Sequence, residues 1–151
     1  MGYYQLYYHI VFRTKGSVPA IAIEHEKLFY KYVLGILNKK ECKLLRIGGM
    51  PDHVHMLVSI PPSLAISDCV RDVKTASHKF LRENLDKFPL FYGWGKSYCA
   101  LTCSSTSKDM VFNYIKNQKE HHKKMDFREE LFSFFREYGL KEEDMEFFLK
   151  D

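Results

Sequence analysis

Two strand-like segments stand next to each other in the middle of the chain, with a long amphipathic helix predicted on each side of them. Residues 41–48 and 53–60 are rich in apolar residues and are separated only by a short segment with turn-forming glycine and proline. Apolar residues recur at helical spacing in residues 24–39 and 64–84. Two long crossovers around a central pair of strands favour an antiparallel sheet with helices on one face.

The predicted pattern is completed by one further strand at each end. Residues 3–16 are rich in β-branched and aromatic residues, and we expect a central strand that is apolar on both faces. Residues 97–104 predict a fourth strand. The order β-α-β-β-α-β, followed by further helices, predicts an α+β protein with a ferredoxin-like antiparallel sheet.

The length of 151 residues suits a single domain with one core, residues 1–151. We expect residues 1–106 to form the sheet and its two helices, and residues 107–125 to form one long helix. Residues 126–151 are expected to form a helical tail that breaks at Gly139.

Composition and charge limit the classes of function. The net charge of +4 permits an anionic partner but does not require one. The chain has no apolar run of membrane-spanning length and no features of a signal peptide at its start, so we expect a cytoplasmic protein without a membrane partner. The four cysteines form no CxxC pair and are expected to be reduced and mostly buried.

His53 and His55 are the most distinctive pair of side chains in the sequence. Side chains alternate along a strand, so both imidazoles point to one face while Val54 and Met56 point to the other. The imidazoles are expected to lie about 7 Å apart, which allows them to converge on one metal ion. Asp52 could orient one of these ligands. The alternative is a structural pair, with one histidine at the strand end and one hydrogen-bonded in the core.

Tyr114 and Gln118 are four residues apart in a predicted helix and therefore share a face. A phenol directed at a phosphate is a candidate nucleophile, and its attack would give a phosphotyrosine that conserves the bond energy. An amide oxygen is a hard ligand, so His53, His55 and Gln118 could hold Mg or Mn as a Lewis acid and template. The alternative is that Tyr114 packs in the helix and Gln118 is solvated.

Three other histidines offer competing interpretations. His121 and His122 could form a metal cluster with Gln118, but we interpret the basic segment around them as a solvated helix end that favours the helix dipole. His9 belongs to the first strand and could neighbour the histidine pair, and we expect it to be buried and hydrogen-bonded.

Several basic side chains on the predicted helices are candidates for contact with the phosphates of an anionic partner such as a nucleic acid. They are Arg71, Lys74, Lys79 and Arg82 in the second helix, and Lys116 and Lys123 in the helix predicted over residues 107–125, which carries Tyr114.

A series of segments resembles a known family in both order and spacing. They are YYHIVFRTK, GGMPDHVHMLVSIPP, VRDVKTASHKFLREN, WGKSYCALT and YIKNQ. Together they resemble the HUH-type single-tyrosine transposases of small bacterial and archaeal insertion sequences, the IS200-like transposases. The resemblance implies a metal-binding histidine pair at His53 and His55, a catalytic tyrosine at Tyr114 and a third metal ligand at Gln118.

The resemblance also implies an activity. Members of this family cleave and rejoin single-stranded DNA: the tyrosine holds the 5′ end covalently and a 3′-OH is released. They work as dimers, recognise hairpins near the element's ends, and complete one subunit's site with the tyrosine helix of the other. Two alternatives stay open: a domesticated relative that processes chromosomal repeats, and a non-catalytic module that binds single-stranded nucleic acid through exposed aromatics. A barrel hydrolase needs ~200–250 residues, so this chain is too short for one.

Overall fold

The computed structural model describes residues 2–150, apart from the side chains at positions 134 and 135. Within these residues the strands form one antiparallel four-stranded sheet with the spatial order β2-β3-β1-β4. The strands are β1 (Tyr7–Arg13), β2 (Lys43–Met50), β3 (His53–Ser59) and β4 (Cys99–Cys103). The predicted ferredoxin-like α+β fold is confirmed.

Helices α1 (Glu26–Lys39) and α2 (Ile66–Glu83) cover one side of the sheet, which we call the helix face. The main apolar core lies between them and the sheet because every second strand residue here is apolar. The strands contribute Ile10, Phe12, Val54, Met56 and Val58, and all five are buried.

The opposite side of the sheet, which we call the histidine face, carries the alternate residues. The register pairs Val11 with His55 and Arg13 with His53, so these four side chains lie together. The prediction that the first strand is apolar on both faces is wrong, because the buried residues of β1 on this face include His9 and Arg13. Both side chains make hydrogen bonds: Nε2 of His9 bonds to Nδ1 of His55, and Arg13 donates to the Phe148 carbonyl and the Ser17 hydroxyl.

Four further helices follow the sheet: α3 (Lys108–Lys116), α4 (Gln118–His121), α5 (Phe127–Glu137) and α6 (Glu142–Leu149). The predicted single helix over 107–125 is wrong, because helical geometry is interrupted at Asn117, with φ −99° and ψ 22°. The predicted break in the tail is present at Gly139, which adopts φ +72°.

These helices cover the histidine face in two parts. Helix α3 packs on Leu57 and Cys103 through Ile115, while α5 and α6 pack on Val11 and Cys99. Gly48 lets α3 come close to β2, since a Cβ at this position would lie 2.8 Å from the Ile115 carbonyl oxygen. The histidines lie between the two apolar clusters.

Two expectations from composition can be compared with the structure. The four cysteines are free and buried, as predicted. Among residues 2–150, no helix has both the length and the apolar character needed to cross a membrane.

Candidate active site

His53 and His55 lie side by side on β3 with their rings fully buried. Their ring centroids are 5.1 Å apart, and both Nε2 atoms point towards Glu130 of α5. Nε2 of His55 lies 2.7 Å from Glu130 Oε1, and Nε2 of His53 lies 3.9 Å from Glu130 Oε2. The ligand atoms of the three residues lie within 4.8 Å of one another, which is close enough to share one metal ion.

The other ring nitrogen of each histidine has a partner of its own. Nδ1 of His53 lies 2.7 Å from Asp52 Oδ1, and Nδ1 of His55 lies 2.8 Å from Nε2 of His9. The carboxylate of Asp52 can only accept, so His53 carries a proton on Nδ1. Asp52 thus occupies the position expected of it, and His9 is buried and hydrogen-bonded as expected.

The structure also brings Gln118 to the histidine pair. Its side chain is buried at the start of α4, with Oε1 3.2 Å from His53 Nε2 and the amide nitrogen 3.5 Å from Glu130 Oε1. The interruption at Asn117 therefore does not separate Gln118 from the histidines. The structure therefore brings Gln118 next to His53, one of the two predicted histidine ligands.

Glu130 was missed in the sequence. Burial opposes its ionisation, but hydrogen bonds from His122 and His55 outweigh burial and hold the pKa of this carboxyl well below its usual range. Glu130 therefore brings a buried negative charge to the site. A signal was available, because Glu130 lies between Phe127 and Leu131 on the buried side of an amphipathic helix, where a carboxylate needs a partner.

The interpretation of the segment after Tyr114 as a solvated helix end is wrong for His122. Its side chain is only 8% exposed, and its Nε2 lies 2.5 Å from Glu130 Oε2. His121 stacks on the ring of Tyr114 with centroids 4.5 Å apart. Both histidines therefore contact site residues, because α4 turns towards the sheet after Asn117.

Tyr114 lies next to the histidine pair of its own chain. Its ring centroid is 5.8 Å from that of His55 and 6.4 Å from that of His9. Burial, followed by the negative charge and hydrogen bond of Glu130, raises the pKa of the Tyr114 phenol. The phenol is therefore protonated in this arrangement, and burial with the neighbouring His55 lowers the pKa of His9 to about 3, which keeps that imidazole neutral.

The donor atoms suit a divalent metal ion. Two imidazole nitrogens and one carboxylate are a common set for divalent transition metals and leave coordination positions open. The amide oxygen of Gln118 is an additional hard ligand beside His53. These residues fit an ion that must also accept oxygen atoms from a substrate.

The tail helices close the site from solvent. His53 and His55 are 0% exposed and Gln118 and Glu130 are 1% exposed. Phe127 of α5 stacks on His53 with centroids 3.9 Å apart. Helix α5 therefore lies between His53 and solvent, and access of a large substrate requires movement of the helices that cover this face.

The family model described as "Transposase IS200 like" matches residues 2–118 of this chain. The chain belongs to the IS200-like transposase family. The match ends at Gln118, so it includes the histidine pair and Tyr114, whereas His122 and Glu130 lie beyond it.

Individual relatives agree with this assignment. The ISDra2 transposase TnpA of Deinococcus radiodurans is 32% identical over 121 residues, which are 78% of this chain and 86% of the relative. A crystal structure of a Deinococcus radiodurans R1 protein described as a transposase superposes with a TM-score of 0.61 at 29% identity, covering 78% of this chain and 95% of that chain. A REP-associated tyrosine transposase bound to a REP hairpin superposes with a TM-score of 0.59 over 81% of this chain and 74% of that chain. Its identity is 11%, so this last likeness concerns the fold alone.

The candidate DNA-contacting residues of this transposase lie on both sides of the sheet. The candidates in α2 lie on the helix face, on the opposite side of the sheet from the histidines. Arg71 is paired with Asp68 and Asp72, and the Lys74 ammonium donates to the carbonyl oxygens of Gly95 and Ser97.

The remaining four candidates are exposed: Lys79, Arg82, Lys116 and Lys123. Arg82 also donates to the Phe91 carbonyl, and Lys123 pairs with Glu120. Lys116 and Lys123 lie on the side of the tyrosine, so the structure does not gather the basic residues into one surface.

Proposed function

We propose that this transposase is a metal-dependent single-stranded DNA endonuclease and strand transferase that uses Tyr114 as its nucleophile. The observation that carries the proposal is the position of the Tyr114 ring, 5.8 Å from that of His55 and beside the His53–His55–Glu130 cluster. A phenol next to a cluster that fits a metal ion is the arrangement that phosphoryl transfer to tyrosine requires.

In the proposed reaction the phenolic oxygen of Tyr114 attacks the phosphorus of a DNA phosphodiester. The bond to the 3′ oxygen breaks, the phenolic proton ends on that oxygen, and a 5′-phosphotyrosine and a free 3′-OH result. Attack by another 3′-OH reverses these steps and rejoins the strand. Because the phosphotyrosine retains the energy of the original ester, the strand can be rejoined without a nucleotide cofactor such as ATP.

The proposed cofactor is Mg or Mn, held by His53 and His55 with Gln118 or Glu130 as the third protein ligand. When bound, the ion would polarise a phosphate oxygen and align the phosphate with the nucleophile. Asp52 keeps the proton of His53 on Nδ1 and so leaves Nε2 as the ligand. The carboxylate of Glu130 favours it as the third ligand, and the position of Gln118 beside His53 supports the alternative.

Tyr114 must lose its proton during attack, and Glu130 opposes this step in the closed arrangement. The carboxylate raises the pKa of the phenol because a tyrosinate beside it would be a second negative charge. The proposal therefore includes neutralisation or displacement of Glu130 before cleavage. Movement of α5 would achieve this displacement and would also open the buried site to DNA.

The proposed substrate is a single strand with hairpins near the ends of an insertion sequence, and the proposed setting is a cytoplasmic homodimer. Hairpin recognition is what the resemblance to the IS200-like transposases implies, and the chain belongs to that family. The exposed basic side chains on both faces, Lys79 and Arg82 on one and Lys116 on the other, support contacts with phosphates.

The test is formation of a covalent protein–DNA adduct. The protein is incubated with single-stranded ends from its own locus and Mg or Mn, and the products are separated on a denaturing gel. We expect an adduct that chelation of the metal prevents and that Tyr114→Phe abolishes while DNA binding persists. Tyr98→Phe is the matched control, since Tyr98 is exposed and lies by Lys74 on the other side of the sheet.

Two results would redirect the proposal. An adduct that persists in Tyr114→Phe would assign the nucleophile to another residue. DNA binding without any adduct in the wild-type protein would favour the non-catalytic binding module. A domesticated relative would give the same adduct, and the absence of hairpin-bearing ends around its gene would identify it.

A further inference from the structure

His9 lies behind the histidine pair and has no role in the reaction proposed above. It is fully buried on β1, and its Nε2 lies 2.8 Å from Nδ1 of His55. The two rings are stacked, with centroids 5.1 Å apart and planes inclined by 30°. Because β1 and β3 pair His9 with Leu57 and Val11 with His55, the contact runs diagonally between adjacent strands on the histidine face.

The partner of His55 differs from the partner of His53 in one chemical property. Each histidine has its Nδ1 held by a neighbour and its Nε2 directed at Glu130. Asp52 is a carboxylate and can only accept a hydrogen bond, so it fixes one tautomer of His53. His9 is an imidazole and can either donate or accept through the same Nε2.

We infer that His9 is a positioning residue that supplies His55 with the tautomer needed for metal binding, an inference that rests on the proposed function. Nε2 of His55 lies 2.7 Å from Glu130 Oε1, and in the tautomer with the proton on this nitrogen, Nδ1 of His55 accepts the N–H of His9. Coordination through Nε2 requires the proton of His55 to lie on Nδ1 instead. His9 then accepts at Nε2 and carries its own proton on Nδ1. Each ring keeps one proton throughout, so the exchange is balanced.

This role explains why an imidazole suits position 9 better than an apolar residue. In a site without exposed surface, an apolar side chain would leave Nδ1 of His55 without a hydrogen bond when it carries the proton. An amide, by contrast, has both a donor and an acceptor and can serve either tautomer. His9→Phe and His9→Gln therefore separate the polar role of His9 from its packing.

The first measurement is the affinity for Mg²⁺ and Mn²⁺ by titration calorimetry, without DNA. Loss of a partner that orients a metal-binding histidine weakens metal binding by roughly 10–100-fold, and we expect this loss for His9→Phe. His9→Gln should recover most of the affinity. Leu57→Ala is the matched control, because Leu57 is the cross-strand neighbour of His9, is buried on the same face and is apolar. It should lower the melting temperature and leave metal affinity unchanged.

The second measurement follows the ring nitrogens by ¹⁵N NMR while Mg²⁺, which is diamagnetic, is added. We expect the protonated nitrogen of both His55 and His9 to change together. Unchanged affinity in His9→Phe, equal weakening in His9→Gln, or a response of His55 without His9 would each overturn the inference. If His9→Phe fails to fold, the inference is tested by the wild-type NMR spectrum alone, in which the ring nitrogens of His55 and His9 must respond to Mg²⁺ together. A wild-type protein that binds neither ion would overturn the proposed metal site as well, whereas metal binding that is indifferent to His9 overturns only this inference.

Discussion

The two faces of the sheet are built from the same strands but bury different kinds of side chain. On the helix face, β1 and β3 contribute Ile10, Phe12, Val54, Met56 and Val58 to a continuous apolar core. On the histidine face the same strands contribute His9, Arg13, His53 and His55, which are equally buried. One face is stabilised mainly by apolar burial, and the other buries polar groups whose hydrogen bonds offset the loss of water.

This difference separates stability from chemistry within a single strand. Neighbouring residues of β3, such as His55 and Met56, have unrelated surroundings because they point to opposite faces. Substitutions at adjacent positions should therefore affect different measurable properties.

The largest effect on activity should come from the histidine of this neighbouring pair. His55→Ala should abolish metal-dependent cleavage, with a loss greater than the ~10–100-fold typical of a residue that only orients a ligand. Met56→Ala should destabilise the fold by about 2–5 kcal/mol, because it leaves a cavity in the apolar core, and should retain metal binding. Denaturant unfolding and metal titration of both variants test the comparison. If His55→Ala cleaves DNA at the normal rate in the presence of Mg, the assignment of the metal site to the histidine face is wrong.

A smaller effect on metal binding should distinguish Gln118 from Glu130. We expect Gln118→Ala to weaken metal binding and slow cleavage less than either histidine substitution, since water replaces a neutral oxygen ligand more readily than an imidazole. Glu130→Gln should weaken metal binding more than Gln118→Ala if the carboxylate is the third ligand. Titration with Mn²⁺ compares the metal affinities of the two variants. A weaker affinity in Gln118→Ala than in Glu130→Gln would identify Gln118 as the third metal ligand.

Glu130→Gln should also change the ionisation of the nucleophile. Burial and the charge of Glu130 raise the pKa of Tyr114, so removal of the charge should lower that pKa towards the ordinary tyrosine value without reaching it. The ultraviolet absorbance of tyrosinate during a pH titration measures the shift, with Tyr114→Phe as the blank. A titration curve that does not move would show that Glu130 has no electrostatic effect on the phenol.

The sequence predicted much of this organisation because periodicity and alternation are local properties. The helix spacing in α1 and α2 and the alternation in β3 indicated the fold and the shared face of His53 and His55. Gln118 lies beside His53, although the helix that was predicted to carry it is interrupted at Asn117. Neither glycine nor proline marks that interruption, and the local signal is the weaker one of an asparagine that follows a basic residue, Lys116-Asn117.

The partners of Glu130 show what a local pattern cannot predict, although the pattern does place this carboxylate on the buried side of its helix. Its partner His55 is 75 positions earlier in the chain, and the contact depends on where α5 packs across the sheet. An amphipathic helix has a buried side in the sequence, but its periodicity does not specify the surface that covers it. The same reason explains why His122 was assigned to solvent.

A mixture of two inactive variants can show whether Tyr114 acts in its own subunit or in the partner subunit. In the described chain Tyr114 lies beside its own His55, so a mixture of Tyr114→Phe and His55→Ala proteins should remain inactive. A tyrosine supplied by the partner would instead restore about a quarter of the sites, because half of a random mixture of symmetric dimers is mixed and each mixed dimer has one complete site. The adduct assay on a mixture shown to contain mixed dimers gives the answer.

The smallest effects should come from single basic residues, and they test whether both faces contact DNA. Lys79→Glu changes the helix face and Lys116→Glu changes the side of the tyrosine, and both side chains are exposed in the structure. Each phosphate contact on a single strand contributes a slope of roughly −0.7 in log K against log salt, so loss of one contact should reduce the steepness by about that amount. A salt dependence that is less steep only in Lys116→Glu would indicate that DNA contacts only the side of the protein that carries Tyr114. Reductions in both variants would indicate a hairpin that extends from the site to α2, and no change in either would exclude both surfaces.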